Sequence, residues 1–444
     1  MEKNKKLALI EINECSFNFA INGALKYKYP KIINFFKKKK SIFTFTNDNK
    51  EGLNLDPWVQ WVSVHTGLDS KKHQIFRLGQ VLSKNISQIW DDLSKKNFKI
   101  GLWGLFNSVL KKNSNIKFFF PDPWSFSQDT YPRNLNSYLL LPRYYALNYP
   151  NVSKFKLLSY GLIFFTKVLF SKTIFYLIVN LFSFIKIFYY CGLKSFNLYF
   201  FLDLISLKIV SNLSRKEKLN FLIFATNSFA HYQHNYWDTP RYDKFYFWYL
   251  NEFIKIFEEL EDEYSDFIIY NGFNQKKIKS EYAFRSKNIN LFFKLLGIDY
   301  VKSEQNMTTG VTVFFSDLNN KNDAIKKINK ILLHKHFLFD VMDFRLENKI
   351  FFKSNLVFYT NQIEKIIRNK NFLKIANKKK NKSLGLTENN ILHEILKNSI
   401  FIKSTSKHIN TGMIFYSKKN SFNFNGIKRI KNTKVFTLIE NYFS

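Results

Sequence analysis

His231 and His234 lie three residues apart in the segment His231-Tyr232-Gln233-His234-Asn235-Tyr236-Trp237. A helix there would set them on neighbouring positions. With His408 they form a candidate three-imidazole site. Such a set would hold one divalent metal, zinc or a similar ion, or supply acid–base groups with no metal at all. Asn227, four residues before His231, offers an amide oxygen to the same ion. Asp56 offers a different chemistry. Its carboxylate can act as a nucleophile, or it can be the N-cap of a helix that opens at Pro57. The candidate catalytic residues are therefore Asp56, His231 and His408, and the candidate metal ligands His231, His408 and Asn227. Asn13, Gln60, Trp61, Asn227, His234 and Asn271 are the candidate substrate contacts. Neutral amides suit a sugar or a polar headgroup better than a free polyphosphate.

These residues need strand ends and helix starts to hold them. Leu7–Asn13, Phe98–Gly104, Phe221–Thr226 and Phe267–Tyr270 are short apolar runs and predict buried strands. Tyr242–Leu260 has the apolar spacing of a helix. Strands alternating with helices predict an α/β fold, a doubly wound and mostly parallel sheet covered on both faces. Asn13, Asn227 and Asn271 then stand just at or beyond strand C-termini, where such sheets bind ligands. The chain divides at the sequence level into a core part at 1–149, a hydrophobic helical insert at 150–215, and a second core part at 216–444. An unassigned insertion lies near 310–400. The proline-bearing stretch 118–151 and the stretch 376–390 read as loops.

Asp56–Ile75 (DPWVQWVSVHTGLDSKKHQI) resembles the TG(L/Y)xPxxHGI segment of the alkaline-phosphatase-like superfamily, which includes type I phosphodiesterases, nucleotide pyrophosphatases and sulfatases. Asn227–His231 (NSFAH) resembles the DxxGH element of that superfamily, and Thr405–Gly412 (TSKHINTG) its late GxHxxxG element. Leu7–Glu14 resembles the opening IxIDG strand, and Phe267–Phe273 the strand before SDHG. The order agrees along the chain. The resemblance does not cover the helical insert at 150–215 or most of 310–400; it implies that fold for the rest and a hydrolase or transferase acting on a phosphate or sulfate ester, of a glycan or lipid headgroup for example. It also implies that His231 and His408 share one metal site. The departures fall on the chemistry. Asn13, Asn227 and Asn271 stand where the family has carboxylates, and Pro57 stands at the usual nucleophile. Each Asp-to-Asn change keeps an oxygen and loses a negative charge, which argues against two-metal catalysis. A non-catalytic binding protein on the same fold is the first rival reading.

Composition supplies a second rival. The 444 residues include 68 Lys+Arg against 34 Asp+Glu, a net charge of +34. That balance would suit RNA. However, Arg contributes only nine residues, and forked guanidinium contacts are the usual basis of specific recognition. Lys, Asn, Ile and Phe are abundant together, as AT-rich coding would produce, so nucleic acid is not the expected partner. The Lys37–Lys40 run reads as a solvated loop. With 46% hydrophobic residues the chain is not disordered, and Cys15 and Cys191 cannot frame a disulfide network. No signal peptide is expected. The longest uncharged run in the insert, Thr173–Ile185, falls short of the ~20 residues of a membrane span. The expected location is cytoplasmic or peripheral to a membrane, with contact through 157–210.

Overall fold

The computed structural model describes residues 5–48, 55–111, 115–148, 152–237, 239–305, 309–333, 336–344, 347–354, 394–417, 422, 424 and 427–444. His334, His393 and the stretch 376–390 lie outside the described residues. The chain forms two units, one of residues 1–277 and 406–444, the other of 278–405.

The first unit is built on an eight-stranded sheet. Its strands are β1 (Leu7–Ile12), β2 (Lys39–Phe45), β3 (Ile100–Leu105), β4 (Ile116–Pro121), β5 (Phe221–Thr226), β6 (Asp266–Tyr270), β7 (Thr411–Ser417) and β8 (Arg429–Lys431). Their order across the sheet is β8-β2-β7-β6-β1-β5-β3-β4. β1 pairs in parallel with both β5 and β6, and β3 in parallel with β5 and β4. β7 runs antiparallel to both its neighbours. The four strands expected from apolar runs are β1, β3, β5 and β6.

Side-chain alternation splits the core in two. Ala8, Ile10 and Ile12 of β1, Leu222 and Phe224 of β5, and Phe267 and Ile269 of β6 join one cluster. Leu7 and Leu9, Phe221 and Ile223, and Ile268 and Tyr270 join the other. A strand buried on both faces is apolar at nearly every position, and β1 and β5 are buried throughout with Glu11 and Thr226 as their polar members. Helices cover each face. Asp243–Glu263 and Ser195–Glu217 pack on the first, while Pro57–Thr66, Ile89–Lys95 and Lys434–Phe443 pack on the second. The mostly parallel sheet with both faces covered is the doubly wound α/β arrangement expected from the sequence.

Two expectations give way. The Lys37–Lys40 run is not a loop: Lys37 ends a helix and Lys39 begins β2. Lys39 is buried, paired with Glu261 at 2.5 Å, with its ammonium 4.3 Å from the Phe35 ring centre. The stretch 118–151 is not continuous loop either, since it holds most of β4 and the helix Asn136–Asn148, which carries Pro142 inside it. Span length is a separate matter. Among the described residues two helices, Thr173–Cys191 and Ser195–Glu217, are long and apolar enough to cross a bilayer by length and composition alone. The uncharged run stops at Lys186, but the helix continues through it to Cys191. Ser195–Glu217 is a core helix, since Asp203 on it accepts from Thr226 Oγ1 at 2.7 Å and from the Asn227 N–H at 3.2 Å.

The second unit has a four-stranded antiparallel sheet in the order Phe339–Phe344, Lys349–Ser354, Val311–Phe314, Lys302–Gln305. Phe292, Phe293, Val313, Ile350 and Phe352 are in its core.

Candidate functional site

β1 lies between two parallel neighbours, β6 and β5, and the chain just beyond its C-terminus is tied to both. The Asn13 N–H donates to Thr226 O, and the Glu14 N–H donates to Asn271 O, each at 3.0 Å. The crevice beyond these strand ends is where the sequence placed the chemistry.

Asn13 is saturated by its neighbours. The Trp61 indole N–H, which can only donate, bonds Asn13 Oδ1 at 2.8 Å. This fixes the amide, whose Nδ2 then donates to Asn227 Oδ1 at 2.7 Å and to Glu14 Oε1 at 3.2 Å. A carboxylate at position 13 could not donate either bond. With its oxygen engaged, Asn227 turns Nδ2 towards His231 Nε2 at 3.3 Å. His231 therefore accepts at Nε2 and carries its proton on Nδ1. Its ring stacks on Tyr199 at 3.9 Å and 3°. Burial, with His234 adding to it, lowers the His231 pKa to about 4. His231 is a neutral, stacked imidazole.

The structure brings His234 and His408 together on a residue the sequence reading did not single out. Glu14 Oε2 lies 2.8 Å from His234 Nε2, 2.9 Å from His408 Nε2 and 2.5 Å from Gln275 Nε2. The two imidazole Nε2 atoms are 3.3 Å apart. Both Nδ1 atoms are engaged on the far side. His408 Nδ1 donates to Leu55 O at 2.6 Å. The Ser406 hydroxyl donates to Gln275 Oε1 at 2.6 Å, so it accepts from His234 Nδ1 at 3.1 Å. Each ring thus spends one nitrogen on a fixed acceptor and aims the other at a common point, the usual posture of metal-binding histidines. Among the described residues, Glu14, His234 and His408 are the one such trio whose ligand atoms all lie within 4.8 Å of one another.

The electrostatics follow from burial opposed by pairing. Burial disfavours the Glu14 charge, but His408 and His234 outweigh it and hold the carboxyl well below its usual range. Burial likewise disfavours a charged His408, and Glu14, then Asp56 and the Leu55 carbonyl, outweigh it and raise its pKa to about 9.

The remaining candidates take other places. Asp56 precedes the helix Pro57–Thr66 with extended backbone and makes no side-chain capping bond. Its charge acts on His408. Gln60 is buried and links Asp48 Oδ2 at 2.6 Å to Asn432 Nδ2 at 3.2 Å. Trp61 is buried behind Asn13. Asn271 Nδ2 donates to Cys15 O and Asn274 Oδ1 at 2.8 and 2.6 Å, and its Oδ1 accepts from the Met413 N–H at 2.8 Å. This approach needs Gly412, where a Cβ would lie 2.6 Å from Gly272 O and 2.8 Å from Asn271 Oδ1. His65 pairs with buried Glu11 at 2.7 Å, and His73 Nε2 lies 3.0 Å from Ser63 Oγ.

A groove of about 540 Å³ adjoins the cluster, lined among others by Ser16, Asn18, Lys26, Gln275, Lys276 and Lys277. Gln275 belongs to both, bonding Glu14 and lining the groove.

Sequence reasoning missed Glu14 and did not single out Ser406. Glu14 left a signal. It falls at the glycine position of the IxIDG pattern that Leu7–Glu14 resembles, next to Asn13, and its φ is +55°. A left-handed backbone of this kind is one that glycine usually fills. Ser406 lies within the Thr405–Gly412 segment two residues before His408, and Gln275 lies two residues beyond the Phe267–Phe273 segment.

No family model matches the chain, and no curated protein matches its sequence. Among solved structures it is similar to phosphonoacetate hydrolase from Sinorhizobium meliloti 1021, at 11% identity and TM-score 0.41, covering 100% of this chain and 96% of that one. It is similar to human ectonucleotide pyrophosphatase/phosphodiesterase 5, at 8% identity and TM-score 0.45, covering 99% and 95%. It is also similar to Thermus thermophilus alkaline phosphatase, at 9% identity and TM-score 0.42, covering 99% and 91%.

Proposed function

We propose that the chain is a hydrolase or transferase of phosphate or sulfate esters that works with one divalent cation held by Glu14, His234 and His408. The observation that carries this reading is the convergence of two imidazole Nε2 atoms, 3.3 Å apart, on one carboxylate oxygen. Two imidazoles on one tetrahedral ion at ~2.0–2.1 Å place their nitrogens about 3.3 Å apart. The donor set of one carboxylate and two imidazoles suits zinc or a similar ion. The positions where the resembled family has further carboxylates do not fit a second ion. Asn13, Asn227 and Asn271 are amides bonded to one another or to backbone.

A bound ion would polarise an ester oxygen as a Lewis acid. The chain's own residues supply the rest. Lys26, Lys276 and Lys277 line the groove and suit the anionic group of a substrate. Gln275 links that groove to the cluster and holds Glu14 in place. Asp56, beside Pro57 at the start of its helix, is the nucleophile in this reading. The test is metal analysis of purified full-length protein, together with turnover of p-nitrophenyl phosphate, bis-p-nitrophenyl phosphate and p-nitrophenyl sulfate. Near one ion per chain and turnover of at least one ester are expected, both lost in Glu14→Gln and in His408→Ala. Absence of a stoichiometric ion overturns the proposal.

One observation favours a second reading. Pro57 stands at the resembled nucleophile position and three carboxylates are amides, as in a binding protein that keeps the crevice without chemistry. A stoichiometric ion with no turnover, and Asp56→Asn without effect on ligand binding, would support that reading instead.

A further inference from the structure

We infer that the helices Lys154–Leu169 and Thr173–Cys191 dock the protein on an anionic lipid surface. The second helix is apolar all round. One side, with Thr173, Phe184, Ile187 and Cys191, is buried within the first unit. The other side is open: Phe175, Val179, Phe182 and Tyr189 are between 70% and 85% exposed. Phe155 on the preceding helix and Phe170 between the two are exposed at 78% and 89%. A helix hydrophobic on every side normally has every side covered. Large contiguous apolar patches on soluble proteins mark partner or membrane contacts.

Charge selects the occupant. Between Asp129 and Asp203 the chain has no acidic residue, yet residues 130–202 carry eight Lys or Arg. Lys154, Lys156, Lys167, Lys172, Lys186 and Lys194 belong to the two helices or their connections, and all six are exposed. Apolar side chains bordered by cations, with no anion among them, complement acyl chains beneath anionic headgroups. A second copy of this chain would bring six like charges against these six and repel them. Tyr189 and Tyr190, both exposed, are the side chains that favour the headgroup level.

The test is sedimentation of the full chain with vesicles of phosphatidylcholine alone or with a third phosphatidylserine. Binding is expected on the anionic vesicles, at least tenfold weaker on the neutral ones, and weakened again by 0.5 M salt. The double variant Phe170→Ser/Phe182→Ser should lose at least tenfold in vesicle affinity. Because both side chains are exposed, its urea unfolding midpoint should not move, which separates lost docking from lost folding. Equal binding to both vesicle types, or binding to neither, overturns the inference. So does a wild-type dimer in light scattering that the double variant turns into a monomer.

Discussion

At the residue scale, the three asparagines are parts of a working network. Asn13 donates to Asn227 and to Glu14, and both bonds need an N–H. Asn13→Asp would replace that donor with a second carboxylate beside Glu14 Oε1 and Asn227 Oδ1. We expect it to cost about 1–3 kcal/mol, the usual range for a buried acceptor left without its donor. Urea denaturation measures this, and an unchanged midpoint with a second bound ion would show instead that the resembled metal site is intact. His73 makes a separate prediction about acid. Its Nδ1 accepts from the Ile75 N–H at 3.0 Å, and burial lowers its pKa from 6.5 to about 4. The folded state thus favours neutral His73. That stability is fully present above pH 6.5 and is lost as pH falls towards 4. His73→Gln should remove about one proton's worth of slope, ~1.4 kcal/mol per pH unit, across that window. A variant whose stability falls in parallel with the wild type from pH 6.5 to 4 would contradict the assignment.

At the element scale, Lys39 and Lys40 show how a strand reads its sequence. They are adjacent on β2, so their side chains take opposite faces. Lys39 is buried against Glu261 and the Phe35 ring, while Lys40 is exposed. Lys39→Met should destabilise by about 1–3 kcal/mol, because it leaves Glu261 without its buried partner, whereas Lys40→Met should fall within ~0.5 kcal/mol. Equal effects in thermal melts would mean the burial of Lys39 contributes nothing. The same strand marks the limit of what patterning reveals. β1, β3, β5 and β6 were legible because strands buried on both faces are mostly apolar, with single polar residues such as Glu11, Thr226 and Asp266. β2 begins with lysines whose partner, Glu261, is more than 200 residues away, and no local pattern carries that information. The site divides in the same way. His408 and His234 were visible as imidazoles near motif segments, but Glu14 needed the left-handed turn after β1 to aim it at them. His231, the better motif match, instead stacks on Tyr199, a residue no motif includes.

At the scale of the whole molecule, the candidate ion site draws on distant parts of the chain. Glu14 follows β1, His234 lies in the helix Ser228–Tyr236, and His408 precedes β7 after the chain has passed through the second unit. An ion held by all three binds the folded state and has no comparable site in the unfolded chain. Its contribution to stability is then set by mass action, about 2.7 kcal/mol when the free ion is at a hundred times its Kd. Chelation should therefore lower the melting temperature of the wild type, and added zinc should restore it. Glu14→Gln removes the charge that offsets the cation but keeps the side chain's shape, so its melting temperature should be the same with and without chelator. The two-histidine pair left behind would be a weaker site, since affinity follows ligand number and charge. A chelator effect of equal size in wild type and Glu14→Gln would place the ion elsewhere in the molecule. No chelator effect in the wild type would leave Glu14, His234 and His408 as a buried ion pair with a spare imidazole, held together by the charge on Glu14 and needing no metal.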